Sequence, residues 1–226
     1  LLSEVGFNET SWLKTLEDAS QSGYRFLLFQ LDSHYQRFCH VLFKSGATLG
    51  DVLVMLRLRL DKQLKPNNIP EKYKISPATD ADLTEILAMA EDSFEYSRFY
   101  QDPNFNRAKA NLLYQSWIKE SFKTHEAYLV LWENGFKKAF ISTHADQASK
   151  TLIIKLLAVG SQYRGQGLGQ ALLDWLINDA YNNGFDTIQV GTQVNNITAI
   201  RLYERNGFLV DQVRFRFHIW LANASI

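Results

Sequence analysis

Leu157-Ala158-Val159-Gly160-Ser161-Gln162-Tyr163-Arg164-Gly165-Gln166-Gly167-Leu168-Gly169-Gln170 decides how the chain is read. An apolar strand ends at Val159, glycines alternate at 165, 167 and 169, and an amphipathic helix opens behind them. Glycine lets backbone N–H groups come close to an anion, and a helix N-terminus adds the positive end of its dipole. Strand, glycines and helix in that order describe a phosphate cradle. A Walker loop would end in Gly-Lys-Ser/Thr, whereas Gly169-Gln170-Ala171 stands here. A dinucleotide fold would space its glycines G-x-G-x-x-G and close the next strand with an acid, but Asp186 precedes that strand. The plainer alternative is a glycine-rich surface turn that holds no ligand.

Working outward, residues 170–183 bury Ala171, Leu172, Trp175, Leu176 and Ala180 on one helical face and stop at Asn183-Gly184. A strand at 187–192, a short helix at 198–206 stopped by Gly207 and a last strand at 213–221 follow. Upstream, 128–132, 138–144 and 152–159 read as strands, the first two joined by a hairpin turn at Glu133-Asn134-Gly135. Before them come a short strand near Ile75 and a helix starting at Thr79 or Asp80, with Leu83, Ile86, Leu87 and Ala90 at helical spacing. Residues 97–103 read as a loop and 111–122 as a second helix. Two prolines and two asparagines in 64–72 mark a linker. Ahead of it stand a strand at 24–31, a helix at 34–44 capped by Asp32-Ser33, and a strand at 51–60 whose Arg57 and Arg59 mark a wet face. The expected organisation is a small α/β unit at 1–63, a linker at 64–74 and a larger domain at 75–226. The fold class is α+β, a mixed sheet with helices on its faces.

The 226 residues carry 24 Lys+Arg against 24 Asp+Glu, and 46% are hydrophobic. That much apolar material excludes wholesale disorder, and the balanced charge argues against a basic nucleic-acid-binding face. No apolar run reaches the roughly 18 residues of a membrane span. One cysteine, Cys39 between Phe38 and Val41, reads as a core filler; it excludes an internal disulfide and a Cys-rich metal cluster. A reducing cytoplasm is the expected location. The sequence opens Leu1-Leu2-Ser3-Glu4 without a methionine, so more chain is expected upstream.

Arg164-x-x-Gly167-x-Gly169 resembles the pyrophosphate loop of the GCN5-related N-acetyltransferase (GNAT) superfamily. Asn196-Ile197-Thr198-Ala199-Ile200-Arg201-Leu202-Tyr203-Glu204-Arg205-Asn206-Gly207-Phe208 resembles its later motif, with Asn196 and Tyr203 seven residues apart. The resemblance implies the GNAT fold, a mostly antiparallel mixed sheet flanked by helices, and acetyl-CoA as co-substrate without a metal. It implies that Leu157, Ala158 and Val159 take the pantetheine arm and that Arg164, Gly165, Gln166, Gly167, Leu168 and Gly169 cradle the pyrophosphate. Asn196 would bond the coenzyme arm, and Tyr203 would protonate the departing thiolate. A thiol of pKa about 8.5 leaves as thiolate, while a tyrosine of ordinary pKa about 10 still holds its proton at neutral pH. Some relatives carry a glutamate five residues before the Asn, but Gly191 stands here. Asp92, Glu95, His144 and Asp146 are base candidates by chemistry and rough location; a water relay needs none of them, and no base is assigned.

A narrower likeness rests on Ser97-Arg98-Phe99, Trp117-Ile118-Lys119-Glu120, Gly191-Thr192-Gln193 before Asn195-Asn196, and Leu49-Gly50-Asp51-Val52-Leu53-Val54. These runs resemble the dTDP-fucosamine acetyltransferases of enterobacterial surface-glycan synthesis. That implies a nucleotide-linked amino sugar as acceptor. Arg98 and Arg107 flank the loop where its diphosphate would lie, because guanidinium pairs bidentately with phosphate. Tyr96, Phe99 and Tyr100 could stack on a base or sugar, or simply lid the core. A peptide, protein or other small-molecule amine is the alternative acceptor, and a non-catalytic acyl-CoA-binding domain is the alternative to an enzyme. Arg214-Phe215-Arg216-Phe217-His218 alternates basic and apolar residues. It reads either as an edge or exchanged strand at a homodimer contact or as an amphipathic strand with one wet face.

Overall fold

A computed structural model describes residues 9–61, 69–123 and 127–221. Its strands are Phe26–Asp32 (β1), Thr48–Arg59 (β2), Lys74–Pro77 (β3), Ala127–Glu133 (β4), Phe136–Asp146 (β5), Thr151–Val159 (β6), Thr187–Gln193 (β7) and Leu209–Trp220 (β8). Its helices are Glu9–Gln21 (α1), Cys39–Lys44 (α2), Leu83–Glu91 (α3), Arg98–Gln101 (α4), Arg107–Lys123 (α5), Leu168–Asn182 (α6) and Ile197–Arg205 (α7). All eight strands form one sheet in the order β1-β8-β2-β7-β6-β5-β4-β3. Neighbours run antiparallel except β6 and β7, which run parallel. This is the mixed, mostly antiparallel α+β architecture the sequence implied.

The period-2 pattern of the strands decides where the core sits. On β4 and β5, Leu129, Leu131, Ala139 and Ile141 face one side, where α6 lays down Leu168, Leu172 and Leu176 and α7 contributes Tyr203. Tyr128, Val130 and Phe140 face the other, under Ile86 and Ala90 of α3 and Ile118 of α5. Leu172 and Ile118 are fully buried, each contributing about 1.5–3 kcal/mol of transfer free energy. A third cluster gathers Trp12 of α1 and Leu42 of α2 over Leu31, Phe217 and Ile219.

Several expectations change. The strands of the N-terminal unit are not neighbours: β8 lies between β1 and β2, and β2 is inserted between β8 and β7. β8 is therefore not an edge, since both its ladders are taken; the sheet's edges are β1 and β3. The helix expected at 34–44 is a 3-10 turn over Ser33–Phe38 followed by α2, with Tyr35 out of helical geometry at the kink. Asp32 does cap it, accepting the His34 N–H at 3.0 Å. The loop expected at 97–103 contains the single helical turn α4. Cys39 packs half-buried beside the third cluster. Residues 1–4 and 64–68, read as a cut terminus and the start of a linker, lie outside the described residues, and Lys74 already opens β3.

Candidate active site

The parallel pairing of β6 with β7 joins only residues 151–154 to 187–190. Lys155 then bulges out of the β5 ladder, where Thr143 pairs with Ile154 and Ser142 with Leu156. Beyond it the two strands separate, and residues 155–159 and 190–193 line opposite walls of a cleft of about 1130 Å³. On its other side this stretch of β6 is held by β5. Its β7-facing backbone edge is thus open to an extended ligand that adds as a half-strand.

Gly165 and Gly167 adopt φ of +76° and +81° as the chain turns into α6 at Leu168. An L side chain rarely adopts this conformation, and a Cβ at either position would meet nothing within 4 Å. The space before the loop is open and bounded by backbone and a helix N-terminus, a surface that fits a diphosphate. Gly169 differs: a Cβ there would touch Leu157, Leu202 and Val159 at 3.7–3.8 Å, ordinary contact distances. Of the expected coenzyme residues, Leu157, Ala158, Val159, Arg164, Gly165, Gly167, Leu168, Gly169 and Asn196 line the cleft, and Gln166 does not. Gln166 instead presents its carbonyl to the Tyr73 hydroxyl at 3.4 Å. Arg164 spans the mouth, donating from Nε to the Val159 carbonyl at 3.3 Å and from Nη2 to the Asp92 carbonyl at 2.7 Å.

Asn196 caps α7. Its Oδ1 accepts the Ala199 N–H at 3.2 Å, and its Nδ2 donates to Thr192 Oγ1 at 3.2 Å. Two turns further on, on the same side of α7, Tyr203 lines the cleft at 4% exposure with its ring 5.4 Å from that of Phe208. Among the described residues nothing hydrogen-bonds its hydroxyl. Burial pushes the Tyr203 pKa well above its ordinary value, so it remains a proton donor.

The far end of the cleft is built by α4, α5, β2 and β8. Arg98 and Phe99 line it with Tyr114, Trp117 and Arg216. Phe99 is 2% exposed and meets Trp117 edge-on at 5.4 Å. Arg216 forks onto Asp51, with Nε to Oδ1 at 2.5 Å and Nη2 to Oδ2. Arg107 is not in the cleft; it pairs with Asp92 at 3.6 Å on the exposed side and sits over the Tyr100 ring. Asp92 and Glu95 line the cleft, whereas His144 and Asp146 do not; they lie opposite Ile153 and Thr151 at the far end of β5. At Gly191 a Cβ would stand 2.9 Å from the Met55 sulfur, so the N-terminal strand fills the space a longer side chain would need. Sequence reading missed Asp51, Tyr114, Glu120 and Arg216. Asp51 and Arg216 lie 165 residues apart, and only the β2–β8 ladder brings them together.

Residues 85–208, the span from α3 through α7, match the Acetyltransferase (GNAT) family. The chain belongs to the GNAT acetyltransferase family. It is 32% identical over 154 residues to the spore coat polysaccharide biosynthesis protein SpsD of Bacillus subtilis, covering 67% of this chain and 52% of that protein. The chain thus spans about half the length of that relative. It is 34% identical over 106 residues to the [ribosomal protein bS18]-alanine N-acetyltransferase of Escherichia coli, covering 45% of this chain and 70% of that enzyme. It is 25% identical over 159 residues to the dTDP-fucosamine acetyltransferase of Escherichia coli, covering 69% of this chain and 67% of that enzyme. No helix among the described residues of this GNAT chain is long and apolar enough to cross a membrane.

Proposed function

We propose that this acetyltransferase moves acetyl from acetyl-CoA to the primary amine of a nucleotide-linked amino sugar. The observation that carries the reading is the wedge between β6 and β7, with the left-handed glycine loop at its mouth and the Tyr203 hydroxyl unengaged in its wall. Bound acetyl-CoA supplies an activated thioester. Gly165, Gly167 and the N-terminus of α6 hold its pyrophosphate, and the open edge at Leu157, Ala158 and Val159 takes its arm and polarises the carbonyl. Asn196, already fixed by Thr192 and Ala199, faces the same arm. The neutral amine would attack the carbonyl, Tyr203 would give its proton to the sulfur that leaves, and the proton shed by the nitrogen as the amide forms would pass through water to restore the Tyr203 hydroxyl. No side-chain base is required when water carries that proton away from the nitrogen.

Two relatives with glycan names support a sugar amine, and so does an acceptor end that holds arginine beside aromatic rings. The alanine N-acetyltransferase relative favours a second reading, a peptide α-amine. Initial rates of thiol release, with a dTDP-4-amino sugar set against a panel of peptides, separate the two. Turnover on the sugar nucleotide that falls about 10²–10⁴-fold in Tyr203→Phe supports the proposal. Turnover confined to peptides refutes the sugar acceptor. Acetyl-CoA binding without turnover on any amine would leave a non-catalytic acyl-CoA-binding domain.

A further inference from the structure

Two arginines and one carboxylate meet at the acceptor end of the cleft, and their bonding is lopsided. Asp51 gives both carboxylate oxygens to Arg216 and also accepts the Arg98 backbone N–H at 3.3 Å and Gln193 Nε2 at 3.4 Å. Its side chain is 6% exposed and that of Arg216 15%. The Arg98 guanidinium is left over. Among the described residues no group accepts a hydrogen bond from it, its Nε is shielded from solvent, and it lies over the Phe99 ring at 4.5 Å. It lines the cleft beside Tyr114, Trp117 and Arg216. Burial and the Arg216 charge lower its pKa to about 10, so it stays charged at neutral pH. A charge held in this way, with unsatisfied donors, is costly unless an anion arrives to pair with it.

We propose that Arg98 is the anchor for a phosphoryl group of the acceptor, with Asp51 and Arg216 as positioning residues that hold α4 against β2 and β8. The inference rests on the amine-acetylating reading and deepens it by naming what the acceptor must carry. Asp51 fixes the backbone at Arg98 and spends its own charge on Arg216, so the cluster keeps one net positive charge. The planar guanidinium fork matches phosphoryl oxygens bidentately. Phe99, Tyr114 and Trp117 form an aromatic wall beside it, suited to a sugar or base rather than to a bare carboxylate.

The test compares an amino-sugar 1-phosphate, the matching amino-uronic acid and the neutral methyl glycoside as acceptors, in wild type, Arg98→Gln and Arg98→Lys. The wild type is expected to prefer the phosphate at least tenfold in kcat/KM. Arg98→Gln raises KM for the phosphate at least tenfold, with a far smaller loss on the methyl glycoside, and Arg98→Lys restores part of the difference. Equal losses on all three acceptors, or a preference for the uronic acid, overturn the proposal. A second arm needs no turnover: protein saturated with CoA is titrated with inorganic pyrophosphate by calorimetry. Binding in wild type that disappears in Arg98→Gln sustains the anchor even if no sugar amine is acetylated. Binding absent from wild type, or unchanged in Arg98→Gln, overturns it.

Discussion

Gly191 and Met55 face each other across the β2–β7 ladder, and replacing the glycine tests whether the N-terminal strand shapes the cleft. A Cβ built on Gly191 lies 2.9 Å from the Met55 sulfur, while ordinary contact begins at 3.4 Å, so the sulfur must retreat by about 0.5 Å. The Leu53 methyls, at 3.5 Å on the same side, narrow the directions it can take. The glycine φ lies outside the left-handed region, so the penalty is contact alone. Overpacking costs about 1–3 kcal/mol, and the reduced freedom of the unfolded chain returns about 0.4–1. Gly191→Ala should therefore lose about 1.3 kcal/mol, the middle of those ranges, and lower Tm by about 3–5 °C. Met55→Ala costs stability of its own, but the double variant should be about 1 kcal/mol better than the sum of the singles. Thermal and urea unfolding of the four proteins close the cycle. A Gly191→Ala protein as stable as wild type, or singles that add within about 0.3 kcal/mol, would refute the crowding.

Gly167→Ala places a non-glycine residue at φ +81° with no neighbour to strike. It should cost about 1–2 kcal/mol of stability and raise KM for acetyl-CoA severalfold, with a smaller change in acceptor KM, all read from melts and initial rates. Because burial raises the Tyr203 pKa, its proton is lost only at a pH above its ordinary value of about 10. A pH profile of kcat should show no alkaline fall assignable to Tyr203 below about pH 10, and a fall centred near pH 9 that vanishes in Tyr203→Phe would contradict this. His218 donates toward Asp102 at 2.5 Å inside the fold, and burial lowers its pKa despite that carboxylate. The unfolded chain then binds the extra proton first, so His218 favours folding fully above about pH 6.5 and loses that contribution as pH falls. Urea midpoints from pH 8 to pH 5 should drop more steeply in wild type than in His218→Gln.

What the sequence revealed and what it hid separate along physical lines. The glycine loop and the hairpin turn at Asn134-Gly135 are local, with sequence spacing and geometry the same fact, and each lies where it was read; Asn196, read only as a contact for the coenzyme arm, also caps α7. Trp12, Leu16 and Ala19 did carry a helical spacing for α1, too sparse among charged and polar neighbours to stand out. The neighbours of β2 and β8 were illegible because strand alternation reports a face and not a partner. Arg216 consequently read as a wet-face or edge residue, although its side chain is largely buried against Asp51. Arg107 shows the reverse error: its spacing from Arg98 is local, but α5 turns it outward onto Asp92.

The insertion of β2 between β7 and β8 bears on how the molecule is made. Thr48 and the His218 carbonyl that it reaches are 170 residues apart in the chain. During synthesis the early strand leaves the ribosome long before either flanking strand exists, with Leu56 and Leu58, buried in the finished protein, still uncovered. Contacts of such separation slow folding, and an uncovered strand edge invites pairing with other chains. The cleft wall at Gly191 and the Asp51–Arg216 clamp are thus among the last parts to form. A nascent chain stalled before residue 209 would hold the glycine loop and Tyr203 yet lack β8, and with it the clamp at the acceptor end.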